Sequence, residues 1–269
     1  MPSTSLPVAL ITGASTGIGA TYADRLARRG HDLLLVARDV ERLEALAGRL
    51  RAETGRAVEI LPADLLDPED LARIEARLRE DSAIGMLVNN AGMAVSGTVT
   101  TADPARLAEM VQLNVVAASR LAVAAAQTFA ARGSGTLITM ASVLALAPEL
   151  FNGVYNATKA YILALTQSLQ AELAGRGVRI QAVLPGATRT EIWNRSGGDI
   201  SHMDEGMLMD VNAMVDAALA GLDDGEAVTL PALPDLGEFE RFEAARRVML
   251  PNLSRSAVAP RYLRSASAA

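Results

Sequence analysis

Short continuous apolar runs alternate along the chain with longer stretches in which apolar residues recur every three to four positions. The runs Val8–Thr12, Leu33–Ala37, Val58–Leu61, Met86–Asn89, Thr136–Ala141, Val178–Leu184 and Ala227–Leu230 read as strands. Continuous rather than alternating apolarity predicts burial on both faces, as in a parallel sheet. The segments 17–30, 39–54, 68–82, 103–132, 152–175 and 210–222 carry the helical period. Asp103-Pro104 adds a start signal, an N-cap followed by proline at the first helical position. Strand and helix repeated in this order predict an α/β fold: a doubly wound, Rossmann-like parallel sheet of about seven strands with helices on both faces. One domain is expected over 1–230. Within it, 187–209 is rich in Gly, Met and Ser and is expected to be a mobile lid hinged at Gly186, Gly197, Gly198 and Gly206. Residues 231–269 form an appendix, in which Leu236, Phe239, Phe242 and Val248–Leu250 are expected on one side of a short helix. The last residues, 265–269, are expected to be disordered.

Composition narrows the chemistry. The chain has 269 residues, half of them hydrophobic and 21 % charged, an ordinary globular balance. A net charge of −6 counts against a nucleic-acid partner. No apolar run is expected to reach the ~18 residues of a membrane span. The start, Met1–Leu10, lacks a basic region, so no signal peptide and a cytoplasmic location are expected. Cysteine is absent, which removes disulfides, thiolate metal sites and cysteine nucleophiles. Of the two histidines, His31 is expected at a surface turn after Gly30, and His202 has no assigned role. No metal site is expected. The 25 basic residues include a single lysine, Lys159. It is either chance or a place where a compact ammonium is needed rather than a planar fork.

The first strand runs into Thr12-Gly13-Ala14-Ser15-Thr16-Gly17-Ile18-Gly19, and a helix follows at once. Such glycines let a backbone approach a pyrophosphate, whose charge suits the helix N-terminus; a tight turn without ligand is the plain alternative. About 20 residues on, the second strand ends in Ala37-Arg38-Asp39. A small residue followed by arginine suits an adenosine 2′-phosphate, although Arg38 is one of many arginines. Asp39 reads as the N-cap of the next helix. Asn89-Asn90-Ala91-Gly92 closes the fourth strand and either braces neighbouring loops or lines a cofactor crevice.

Asn114 falls on the apolar face of the 103–132 helix, so it is a satisfied core amide or one that holds a water or backbone group near a reaction centre. Tyr155 and Lys159 lie one helical turn apart. An ammonium there is expected to lower the phenol's pKa and fit it for acid–base work. Ser142 ends the fifth strand, on the sheet edge where ligands bind in such folds.

In order, Thr12–Gly19, Asp64, Asn89–Gly92, Asn114, Ser142, Tyr155-x-x-x-Lys159 and Pro185-Gly186 with Thr190 resemble the short-chain dehydrogenase/reductase family, of the compact single-domain type. The resemblance covers about residues 6–230. It implies a nicotinamide cofactor over the sheet. Gly13, Ser15, Gly17, Ile18 and Gly19 would hold its pyrophosphate side, Asp64 and Leu65 its adenine, and Asn90, Ala91 and Gly92 its length. Pro185, Gly186, Thr188 and Thr190 would lie near the nicotinamide. Basic residues at the second strand mark NADP(H) users in the family, which supports Arg38 and makes NAD(H) the lesser choice. Tyr155 would donate a proton to a carbonyl oxygen, Ser142 would hydrogen-bond that oxygen, Lys159 would hold the nicotinamide ribose, and Asn114 would order a water chain. The implied activity is hydride transfer between NADP(H) and a small-molecule carbonyl/alcohol pair, most simply reduction of a ketone or aldehyde.

Two other readings stay open: an NAD-linked alcohol dehydrogenase, and a dinucleotide-binding regulator with little turnover. An α/β serine hydrolase needs a G-x-S-x-G elbow, and no serine is expected in one. Trp193, Met203, Met207, Leu208 and Met209 either line an adaptable apolar pocket or pack a lid. The long alanine-rich helices 103–132 and 152–175 have faces suited to a homodimer or homotetramer, or to contact with the sheet alone.

Overall fold

The computed structural model describes residues 6–197 and 203–263. The expectations for Gly198, His202 and the 265–269 tail lie outside them. Two compact units are present, Met1–Ala232 and Leu233–Ala269.

The first unit is built on seven parallel strands: β1 (Val8–Thr12), β2 (Leu33–Ala37), β3 (Val58–Pro62), β4 (Ile84–Asn89), β5 (Gly135–Met140), β6 (Val178–Val183) and β7 (Val228–Thr229), in the order β3-β2-β1-β4-β5-β6-β7. Alternate residues of one strand feed opposite faces. Ala9 and Ile11 join Leu33, Leu35, Met86 and Val88 in one apolar cluster, while Leu10 joins Leu34, Val36 and Leu87 in the other. Both faces therefore need cover, and the strands read as unbroken apolar runs for that reason.

Helices α1 (Gly17–Arg28), α2 (Val40–Thr54) and α8 (Val211–Asp223) bring Tyr22, Leu26, Leu43, Leu50, Met214 and Leu219 to the first face. Helices α3 (Pro68–Glu80), α5 (Ala118–Arg132) and α6 (Gly153–Glu172) bring Leu71, Ile74, Leu121, Phe129 and Leu169 to the second. Asp39 caps α2 by accepting the Arg42 N–H, and Asp67, Asn152 and Asp210 cap α3, α6 and α8 in the same way. Each of these polar starts satisfies main-chain donors that the helix cannot. Where the chain leaves β3 and returns beside β1 as β4, the crossovers diverge and open a crevice at the carboxyl ends.

The stretch expected as one helix over 103–132 is three pieces: α4 (Pro104–Val111), capped by Asp103, a π-helical turn at Gln112–Ala117, and α5. Pro104–Arg132 is, by length and composition, apolar enough to cross a membrane, contrary to expectation. Its buried residues, Leu121, Ala125 and Phe129 among them, belong to the cluster against the sheet. His31 also departs from expectation. It is buried, and its Nδ1 lies 2.7 Å from the Pro7 carbonyl oxygen, so it ties the chain entering β1 to the turn before β2.

In the second unit, Asp235 caps α9 (Leu236–Val248). Phe239 stacks on Phe242 with ring centroids 6.2 Å apart, and Arg246 and Arg247 both pair with Glu243. Of the apolar set expected on one side, only Phe239 is buried; Leu236, Phe242 and Val248–Leu250 are exposed. The short helix α7 (Ile192–Ser196) lies in the first unit, within the 187–209 segment.

Candidate active site

The turn from β1 into α1 is a glycine cradle. Gly13 and Gly17 have φ of 65° and 54°, the left-handed region that side chains disfavour. A Cβ on Gly13 would stand 2.9 Å from the Asn90 amide nitrogen, and one on Gly19 would collide with the Gly13 carbonyl. Gly19 thus serves close helix–turn packing. Unlike its neighbours, α1 opens without a side-chain cap: Thr16 makes no capping bond, and the first turn holds no acid. Its free N–H groups and dipole end are left for an anion.

These atoms edge a cleft of about 600 Å³ along the carboxyl ends of β1, β2 and β4. Of the expected cofactor residues, Gly13, Ser15, Gly17, Ile18, Arg38, Asp64, Leu65, Asn90, Ala91, Gly92 and Thr190 line it. An exposed Arg38 stands at its β2 end, its guanidinium 3.6 Å from the Asp64 carboxylate. Asn90 donates to the Thr12 carbonyl at 2.9 Å, and Asn89 to that of Ala118 at 2.7 Å. Asn89 is a brace, while Asn90 both braces and lines the cleft.

Ser142 follows β5 and caps a 3₁₀ turn, accepting the Leu144 N–H at 3.2 Å and donating to the Pro185 carbonyl at 3.4 Å. Its hydroxyl also acts on Tyr155 in favour of the ionised phenol. Burial acts more strongly the other way and pushes Tyr155 up to about 12. Lys159, from the next turn of α6, donates to the Met140 carbonyl at 2.9 Å, and burial pushes it down to about 8. The expected lowering of the tyrosine by the lysine is therefore not what this chain shows. The ammonium stands 5.7 Å from the ring centroid, and desolvation sets the direction of the shift.

The Asn114 amide projects from the π-helical turn onto a backbone group. It accepts the Met93 N–H at 2.9 Å and donates to the Met93 carbonyl at 2.8 Å and to Thr158 Oγ at 3.3 Å. It joins the loop after β4 to the helix that carries Tyr155. A Cβ on Gly92 would lie 3.1 Å from this amide oxygen and 3.7 Å from Lys159 Nζ, so Gly92 keeps the passage between them narrow but open.

Between Ala187 and Met209 the chain returns on itself. Thr188 bridges Met209, and the Arg189 N–H bonds the Met209 carbonyl at 3.0 Å. Thr188 is buried and bonds the Gly186 carbonyl at 3.0 Å, a packing position outside the cleft lining. Helix α7 is held on two sides. The Ser96 N–H bonds the Ser196 carbonyl at 3.1 Å, and Glu191, just before α7, accepts from Arg42 of α2 at 2.7 Å. Arg42 and then Arg195 hold the Glu191 carboxyl below the usual range.

Sequence reasoning missed this Arg42–Glu191 clasp, which joins positions 149 residues apart. It also missed Phe151, which meets Tyr155 edge to face at 5.5 Å and Trp193 at 6.2 Å. The elbow spelling G-x-S-x-G, expected nowhere, does occur at Gly13-Ala14-Ser15-Thr16-Gly17. His31 cannot serve it, because it sits against Pro7 at the amino ends of the parallel strands β1 and β2, whereas Ser15 follows the carboxyl end of β1.

The sequence pattern of the short chain dehydrogenases matches residues 7–200. A short-chain dehydrogenase from Sphingobium yanoikuyae, solved in complex with NADPH, superposes with a TM-score of 0.93 at 50 % identity, covering 96 % of this chain and all of that one. The bulky-bulky ketone specific alcohol dehydrogenase from Comamonas testosteroni superposes with a TM-score of 0.89 at 46 % identity, covering 97 % of this chain and all of that one. An uncharacterized oxidoreductase of Staphylococcus saprophyticus is 32 % identical over 186 residues, 69 % of this chain and 80 % of that protein.

Proposed function

The chain belongs to the short-chain dehydrogenase/reductase family, and from that premise we propose that it moves hydride between NADP(H) and a small carbonyl/alcohol pair, reducing a ketone or aldehyde. It is an oxidoreductase of a family that uses nicotinamide dinucleotides. The observation that carries the proposal is a buried Lys159 one helical turn from Tyr155, its ammonium 5.7 Å from the tyrosine ring, with Ser142 acting on the same phenol and Gly92 of the cleft lining against the ammonium.

The cradle fits a dinucleotide. The uncapped start of α1 and the glycines at 13 and 17 would take the pyrophosphate, and Arg38 would meet a 2′-phosphate with charge-assisted bonds. When bound, the nicotinamide supplies or accepts the hydride. Tyr155, a phenol protonated at neutral pH and held further so by burial, delivers its proton to the carbonyl oxygen. Ser142 donates a hydrogen bond to the same oxygen as charge develops there. Lys159 would steady the nicotinamide ribose and, through its charge, the phenol. Asn114 fixes the Met93 backbone beside them.

The test is to bind NADPH and NADH to the purified protein and then follow nicotinamide absorbance over a panel of ketones and aldehydes. Tight NADPH binding with carbonyl-dependent oxidation is expected. Binding without turnover on any carbonyl would favour a regulator, and equal affinity for both cofactors would remove the NADP(H) preference. The half-exposed Val111, Val116, Val123 and Tyr161 of the α4–α6 layer support a homodimer or homotetramer, to be checked by light scattering.

A further inference from the structure

Phe151 is the only non-glycine among the described residues with positive φ, at 59°. A bulky aromatic in this region is strained and persists only where its surroundings dictate it. They do so here from both sides. Asn152, buried, accepts the N–H groups of Val154 and Tyr155 at 3.0 and 3.2 Å and donates to the Gly97 carbonyl at 2.8 Å. Asn156, also buried, donates to the carbonyls of Pro148 and Leu150. The backbone before and after Phe151 is thus clamped.

The ring stands edge to face with Tyr155 (5.5 Å, 86°) and with Trp193 (6.2 Å, 86°), and Phe151 as a whole is 47 % exposed. It joins the proton donor to a residue of α7. Trp193 spends its indole N–H on the Thr188 carbonyl at 2.8 Å, so what it offers is a ring surface. Apart from the phenolic hydroxyl, the three rings leave no polar atom for a ligand. A flat, uncharged group matches such a wall, and the nearness of Tyr155 requires that group to sit close to the carbonyl it protonates.

We propose that Phe151 is a specificity-determining residue that seats an aromatic ring attached to the substrate carbonyl, so that aryl ketones and their benzylic alcohols are the preferred pair. This rests on the carbonyl-reductase reading above. In the reaction the carbonyl carbon takes the hydride of NADPH and its oxygen takes the Tyr155 proton; the ketone is reduced to a secondary alcohol and NADPH is oxidised to NADP⁺.

The test uses the full chain and its single tryptophan, Trp193, as reporter. Propiophenone is compared with its saturated counterpart, cyclohexyl ethyl ketone, for turnover with NADPH. Benzamide and cyclohexanecarboxamide, which are not reduced, are titrated by Trp193 fluorescence. Wild type should favour each aryl ligand about tenfold, and Phe151→Leu should erase most of that ratio through KM rather than kcat. Phe151→Gly should erase it too while raising Tm above that of Phe151→Leu, because glycine relieves the left-handed strain. An aryl preference untouched in both variants overturns the proposal even if every ketone is reduced. Ring-dependent binding lost in both variants, with no carbonyl reduced, sustains the role of Phe151 and overturns the reductase reading instead.

Discussion

The Lys159 ammonium lies 5.7 Å from the centroid of the Tyr155 ring, and burial moves the two groups toward a shared neutral form, the phenol up to about 12 and the amine down to about 8. A protonated phenol is what reduction needs from the start, whereas oxidation needs it ionised. Reductive turnover should therefore vary little across neutral pH, while alcohol oxidation should climb steadily into the alkaline range. Initial rates in both directions at saturating cofactor check this; an oxidative rate that is flat with pH would mean that Tyr155 is not the base.

Lys159→Arg should lower kcat by about 10²-fold or more while circular dichroism stays that of wild type. The amine reaches the Met140 carbonyl within a buried slot beside Gly92. A guanidinium is wider and cannot place its charge at one point. If Lys159 were only one cation among many, the change would be silent.

Stability should carry the lysine's signature as well. The folded chain holds Lys159 near 8 against 10.5 when unfolded, so between those values the unfolded state binds more protons. Stability due to this group then rises with pH from about 8 to 10.5 and is lowest, by on the order of 3 kcal/mol, below that window. Denaturant titrations at stepped pH should show the rise in wild type and its loss in Lys159→Met.

Arg38→Ala should weaken NADPH binding by roughly 10- to 150-fold, the worth of a charge-assisted contact, and leave NADH binding little changed. Calorimetric titration of both cofactors on both proteins measures the gap, and an unchanged ratio would place the 2′-phosphate elsewhere.

Tyr22 is fully buried in α1, its hydroxyl has no hydrogen-bond partner among the described residues, and burial drives its pKa far upward. Tyr22→Phe should keep the packing and remove an unsatisfied donor, raising stability by about 1 kcal/mol and Tm by about 2–4 °C. A fall in Tm would show that the hydroxyl does find a partner in solution.

What the sequence disclosed was what local chemistry decides. Strands covered on both faces read as unbroken apolar runs, and Asp39 and Asp103 announce helix starts because a cap needs only the next three residues. The Tyr155–Lys159 spacing follows from helical pitch alone. The protonation of that pair was not legible, since desolvation depends on what the fold packs around them. Nor was the burial of His31, which depends on the Pro7 carbonyl at the start of the neighbouring strand β1. The backbone of Phe151 is set by Asn152 and Asn156 rather than by its own preference, and Glu149-Leu150-Phe151-Asn152 contains no glycine to betray it.

The widened turn at Gln112–Ala117 takes up one more residue than a plain helix would over the same stretch. In a plain helix each residue advances the side chains by about 100°, and the wide turn absorbs one such step. Closing the segment into an ordinary helix at unchanged length would swing Leu121, Ala125 and Phe129, all now buried, around the axis by about that angle. Loss of one residue from the turn would instead let it close with their phase kept, while Asn114 would lose the wide turn that sets it on the Met93 backbone. The sheet's cover and the loop beside the tyrosine thus part company at this turn: a one-residue deletion there spares the first and spoils the second.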